Sequence, residues 1–402
     1  MHLRFLEKLY NPKILWGILL IITIICSLLL IKRGEREVDG KKYNYYNNYV
    51  IFKQSFSHLI ENKDLYSYHF EEYHDLYKYS PSFALFMAPF VLLPDFIGLS
   101  VWNVINLLVL ITAFYQLPYK SDKLKLIAVG FILNEAITSI LNAQSNCLIA
   151  GLIIWAYIFM ERKNIAMATL MIVLSIYIKI FGIVAFSLFL LYPNRIKAGL
   201  YTILWIVTIG LLPLFVIKFD QLIFLYQSWG HLLKNDHSVS EGLSVMGWLY
   251  TWFGWDVNKM AVLFLGAILF CIPLLRIKQY NSTNFRIIFL ASVLIWVVIF
   301  NHKAESPTFI IAITGVSIWF FSQPYKIENL ILLLFAFIFT EISSTDLFPR
   351  TLYYEWIKPY SIKALPCILI WLKLIFELST KNYLGCKNVH NDISTPALEK
   401  KI

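Results

Sequence analysis

The feature that most constrains this chain is a series of about twelve apolar runs separated by short, mostly basic connectors. The runs are Ile14 to Ile31, Val101 to Leu117, Leu124 to Leu141, Leu148 to Met160, Ile165 to Ile178, Ile180 to Tyr192, Tyr201 to Ile217, Met260 to Leu275, Ile287 to Phe300, Thr308 to Phe321, Ile327 to Phe339 and Ile362 to Leu378. A segment buried in hydrocarbon must satisfy its own backbone N–H and C=O groups, and outside a closed barrel only a helix does so. The predicted fold class is therefore an all-α polytopic membrane protein of about 12 transmembrane helices, forming a single integral membrane domain over residues 1–402. Several runs are near the short end for crossing roughly 30 Å of hydrocarbon.

Composition supports this reading: 58% of the 402 residues are hydrophobic and only 15% are charged, far from the balance of a soluble domain. Ile14 to Ile31 follows a basic start with Arg4, Lys8 and Lys13. The length of its apolar run and the lack of a small-residue cleavage site predict a retained anchor, not a signal peptide. The formal charge of +10 would suggest nucleic acid in a soluble chain. Here the basic residues lie between apolar runs, so topology and anionic lipid headgroups explain them, and no nucleic-acid partner is expected. Cys26, Cys147, Cys271 and Cys367 sit in apolar stretches without a CxxC, so neither a disulfide framework nor redox chemistry is expected.

Charge also orients the chain. With the N-terminus, KSDKLK, ERK, PNRIK, RIKQY, QPYK and the tail 379–402 inside, an even number of crossings returns the chain to its starting side. The segments Gly34 to Ser80 and Lys218 to Val257 then become long extracytoplasmic loops, too long to be mere connectors. Ala84 to Leu93, bounded by Pro81 and Pro94 and interrupted by Pro89, is expected to be a re-entrant or deeply seated helix; the alternative is a true crossing. Tyr49, Phe52, Phe56, Leu59 and Ile60 recur at helical spacing in the first loop. They predict either an interfacial helix or one packed on the bundle.

Candidate functional groups gather at the outward ends. The first loop offers the carboxylates Asp39, Asp64, Glu71, Glu72 and Asp75 beside His74 and Lys78, with Tyr79 expected at the rim of the short apolar run. Lys179 interrupts an apolar stretch, where a lysine requires a partner or a task, and phosphate binding is the leading assignment. LNAQSN brings Asn142, Gln144 and Asn146, amides suited to gripping sugar hydroxyls. NHKAES adds an outer cluster of His302, Lys303 and Glu305, whose lysine is suited to a lipid phosphate. The second loop contributes His231, Lys234, Asp236, His237 and Glu241, but no HExxH or close histidine–carboxylate repeat, so no metal is expected.

Together DLY at Asp64 to Tyr66, KYSPSFALFMAPFVLLPDFIGLSVWNVIN from Lys78 to Asn106, LNAQSN and the lone Lys179 in YIKIFG resemble the landmarks of glycosyltransferase family 87. These are GT-C-type membrane proteins that use polyprenol-phosphate-mannose. The resemblance covers roughly Tyr43 to Leu212. It implies a GT-C-type bundle in the inner (plasma) membrane, with an extracytoplasmic site between the first loop and the bundle. It further implies a polyprenyl-phosphate sugar donor, a glycan or glycolipid acceptor, membrane lipids as surroundings and no cofactor.

The family's expected base is an Asp before a tyrosine-rich helix, where this chain has Asn44, Asn47 and Asn48. An amide does not serve as a carboxylate base, so the candidates are Asp39, Asp75 and Glu72, in that order. The expected reaction moves a hexose, mannose among the options, by a single inverting, base-assisted displacement. Lys179 and Lys303 would offset the phosphate charge. The competing readings are a lipid or polysaccharide transporter or flippase, and a noncatalytic envelope-assembly protein.

Overall fold

The computed structural model describes residues 12–235 and 242–384. Asp236, His237 and Glu241, and residues 385–402 of the expected tail, lie outside them.

The chain is predominantly α-helical, and the described residues contain one two-stranded hairpin. Among the described residues, four helices are long and apolar enough to cross a membrane: Leu15–Lys32, Asp95–Tyr115, Asp122–Leu141 and Arg195–Phe215. Shorter apolar helices complete the bundle, among them Asn146–Glu161, Ile165–Ile178, Thr283–Ile299 and Ser306–Phe321.

Two close helix pairs form its centre. Asp95–Tyr115 packs on Asn146–Glu161, and Thr283–Ile299 on Phe309–Phe321. Both contacts depend on glycine. A Cβ on Gly151 would stand 2.7 Å from the backbone of Val109 and Leu110, and one on Gly315 would stand 2.8 Å from the Ala291 carbonyl. Small residues permit this approach, and van der Waals contact then replaces the hydrophobic effect that lipid cannot supply.

Several spans differ from the sequence expectation at their ends. The run expected from Val101 begins at Asp95, because Asp95 in the first turn complements the helix dipole and pairs with Lys53 at 2.7 Å. The run after Lys179 is a 3₁₀ segment, Ile180–Leu191, unusually long for that geometry. The Ile327–Ala336 helix widens into a π turn at Phe337–Ile342, a form that recurs at functional sites. Lys259–Cys271 tightens to 3₁₀ at Ile272–Leu275 around Pro273.

At one end, the first loop folds onto the bundle. It opens with the antiparallel strands Glu35–Val38 and Lys41–Asn44, joined at Asp39-Gly40. Both turn residues are left-handed, with φ of 51° and 78°, the primed two-residue turn that matches strand twist. The helix Asn47–Ile60 follows, with Tyr49, Ile51, Phe52 and Leu59 buried. It packs on two short helices, Pro81–Phe86 and Ala88–Val91, so its apolar face serves the bundle.

These two helices of 6 and 4 residues occupy the expected re-entrant stretch. At 1.5 Å per residue they reach about 9 and 6 Å, so neither spans a bilayer. Ser80 caps the first by accepting from Phe83 N at 3.1 Å while its hydroxyl donates to the Tyr177 carbonyl at 2.6 Å. The cap thus fastens the loop to the backbone two residues before Lys179. From the second loop, the helix Phe219–Asn235 clasps the first: the Ser228 hydroxyl donates to Asp64 at 2.9 Å, and Trp229 Nε1 donates to the Lys78 carbonyl at 3.3 Å.

Candidate active site

The clasped loops roof a cavity of about 370 Å³ whose lining includes Asn48, Asp75, Lys78, Tyr79, Gln144, Lys179, Asn301, His302, Lys303 and Glu305. Its floor is Lys179, where the Ile165–Ile178 helix ends in extended backbone. The ammonium donates to Asn146 Oδ1 at 2.7 Å and to Gln144 Oε1 at 3.3 Å. Asn146, fully buried, donates in turn to Gln144 Oε1 at 2.7 Å and to the Pro307 carbonyl at 2.9 Å. Gln144 Nε2 then reaches Glu305 Oε2 at 3.2 Å.

The order is cation, amides, carboxylate. The amides take two of the ammonium's three donors without neutralising its charge, and among the described residues Lys179 makes no ion pair. Such a charge suits an anion entering from the cavity.

Asp75 faces the same space from the loop. Its φ of 83° is left-handed, which aspartate tolerates better than most residues. Its carboxylate accepts from Leu76 N at 2.7 Å and pairs with Lys78 at 3.0 Å. Half of the Asp75 side chain remains exposed, at 51%. Tyr79 lies between the two, its ring 4.9 Å from those of Phe52 and Phe83. Burial pushes its phenol above the usual range, so it stays neutral at ordinary pH and offers a hydroxyl and a ring face.

Of the residues predicted from sequence, the cavity brings together Asp75, Tyr79, Gln144, Lys179, His302 and Lys303, with Asn146 directly beneath Lys179. Asn142 stands at the edge. Its side-chain amide turns back to the Thr138 carbonyl at 2.8 Å, and its own carbonyl accepts from Asn48 at 2.9 Å. Asp39 is placed elsewhere, exposed at the hairpin turn beside a separate small pocket with Lys41, Tyr43, Phe70 and His74. Glu72 points to His58, 2.9 Å from its Nε2.

Sequence reasoning named Glu305 only as part of an outer cluster and gave Asn48 no role beyond replacing an acid. The signal for Glu305 was its place two residues after Lys303 in NHKAES.

The fold is that of a predominantly helical membrane bundle, and its family match makes it one of the GT-C glycosyltransferase class. The chain belongs to glycosyltransferase family 87, whose family model matches residues 77–300, more than half of the 402 residues. The match takes in Tyr79, Gln144, Asn146 and Lys179. Membership makes it, in general terms, a glycosyltransferase that uses a polyprenyl-phosphate-linked sugar and acts on a glycan or lipid acceptor. No curated protein matches the chain.

Proposed function

We propose that the protein transfers a hexose from a polyprenyl-phosphate donor to a hydroxyl of an envelope glycan or glycolipid, inverting the anomeric centre. The observation that carries this reading is the single cavity in which amide-held Lys179 faces exposed Asp75. In this mechanism the acceptor oxygen attacks the anomeric carbon as the bond from that carbon to the phosphate oxygen breaks. Asp75 takes the hydroxyl proton, and Lys179, with Lys303, balances the charge gained by the departing phosphate. Gln144 and Asn146 hold Lys179 in place, and Glu305 fixes Gln144. Asp75 is preferred over Asp39 and Glu72 because it lines the cavity, whereas those two lie at the hairpin turn and against His58.

The donor's prenyl chain is assigned to an apolar groove of about 480 Å³ lined by Tyr177, Ile206, Gly210, Phe219 and Tyr226. Tyr177 joins groove to cavity, since its carbonyl holds Ser80 and Lys179 lies two residues on. About twelve crossings, a re-entrant segment at Ala84 to Leu93 and an extracytoplasmic cavity complete the reading. Its support is that Lys120, Lys123, Arg162, Lys163, Arg195 and Lys278 stand in connectors and terminal turns at the helix ends opposite those that carry Asn142, Lys179 and Asn301.

The test is transfer by purified protein from a panel of polyprenyl-phosphate sugars to envelope acceptors. Asp75→Asn is expected to lower kcat by roughly 10²–10⁴-fold with the unfolding midpoint unchanged. Full turnover in that variant removes Asp75 as base, and no transfer by the wild type across the panel sinks the reading.

A further inference from the structure

Outside the cavity, the first loop gathers a second constellation. His58, on the last turn of Asn47–Ile60, is buried at 1% exposure. His69 and Glu72 approach it from the following loop, and one ligand atom from each of the three lies within 4.8 Å of the others. His58 Nε2 is 2.9 and 3.1 Å from the two Glu72 oxygens. The imidazole centroids stand 4.0 Å apart with 35° between planes.

His69 fixes its own tautomer. Its Nε2 is 3.1 Å from the Asp64 carbonyl, which only accepts, so the proton sits on Nε2 and Nδ1 presents a lone pair. A carbonyl behind the non-coordinating nitrogen is the outer contact that metal-bound histidines make. Asp64 is itself anchored, by Tyr66 N at 3.1 Å and the Ser228 hydroxyl at 2.9 Å.

The other facing groups do not supply a competing partner. Tyr73 packs 6.0 Å from His58, ring to ring, and His58 Nδ1 is buried without a hydrogen bond among the described residues. Lys63 and Glu61 nearby pair with each other at 2.7 Å. Two imidazoles and one carboxylate form a donor set suited to zinc(II), with a fourth position for water. Ligands about 2.0–2.1 Å from one tetrahedral ion lie about 3.3 Å apart; the His58–Glu72 separation of 2.9 Å has to open by a few tenths of an ångström, and the wider separations, up to 4.8 Å, have to close by rotation of the His69 and Glu72 side chains.

We propose that His58, His69 and Glu72 bind a divalent transition metal of the zinc type. It ties the end of the Asn47–Ile60 helix to the loop that leads into Asp75. The inference does not depend on the transfer reaction proposed above, because its readout is metal binding.

The experiment uses full-length protein in detergent, stripped with a chelator and titrated with zinc(II) or cobalt(II). One equivalent should bind with micromolar affinity or better, cobalt should give the absorption of a tetrahedral centre, and zinc should raise the unfolding midpoint. His69→Ala and Glu72→Gln, both away from the sealed core, should each weaken binding at least tenfold while matching the stripped wild type in unfolding midpoint. A His69→Ala/Glu72→Gln double variant that keeps the cobalt spectrum overturns the proposal, as does wild-type protein that takes up less than a tenth of an equivalent at micromolar zinc.

Discussion

Two lysines stand inside this bundle, Lys179 half-buried and Lys363 buried, and their partners are opposite in kind. Lys179 is held by two amide oxygens and opens onto the cavity. Lys363, 3% exposed, donates to Glu135 Oε1 at 2.7 Å, to the Ser306 hydroxyl at 2.7 Å and to the Ser344 hydroxyl at 3.1 Å. A second buried carboxylate, Glu341, accepts from Glu135 N at 3.2 Å.

Lys363 is thus neutralised inside the fold, and Lys179 is not. A sealed ion pair holds helices in register, since removing one partner strands the other charge. A lysine held by neutral groups keeps its field for whatever enters. The two regions touch, because Ser306 adjoins Glu305, so the sealed pair braces the wall of the cavity.

The sharpest way to break the contrast is to remove each charge in turn. Lys363→Met should cost about 3–5 kcal/mol of stability by stranding Glu135, read as unfolding in detergent. Adding Glu135→Gln should recover most of that loss. Failure of this rescue would mean that Lys363 acts by packing alone. Lys179→Met should cost less stability than Lys363→Met, about 1–3 kcal/mol for the stranded Asn146 oxygen, but cut turnover by roughly 10²–10³-fold, as loss of a group that stabilises developing charge does. Equal damage to stability in both variants would erase the distinction. Gln144→Ala should cost about 1.5–3 kcal/mol of transition-state stabilisation, the range for a hydrogen bond to a charged group; kcat should fall more than the KM for donor rises. The smallest effect is expected for Asn142→Ala, within about 0.5 kcal/mol in stability and without change in turnover, because its amide bonds its own helix.

Much of the candidate site was legible because its residues sit at breaks in apolar runs. Lys179 and the LNAQSN amides interrupt hydrophobic stretches, where a polar residue requires a reason. What pairs with what was not legible: Glu135 and Lys363 are 228 residues apart, and nothing local in either segment names the other. Asp39 was ranked first for its place in the order of the loop, yet the dipeptide Asp39-Gly40 carries the stronger local message of a tight hairpin turn. Periodicity placed the helix cores, but it did not see the 3₁₀ segment that follows Lys179 or the π segment that contains Glu341.

The 3₁₀ segment has a consequence in length. A 3₁₀ helix rises about 2.0 Å per residue against 1.5 Å in an α-helix. The 12 residues from Ile180 to Leu191 therefore cover about 24 Å instead of about 18 Å, the reach of an ordinary helix one turn longer. One end of that stretched rod carries Lys179, and the next residue beyond the other, Tyr192, bonds Glu161 at 2.5 Å; Glu161 in turn grips Arg286 at 2.6 Å. The segment links a salt bridge at one end of the bundle to the cationic floor of the cavity at the other.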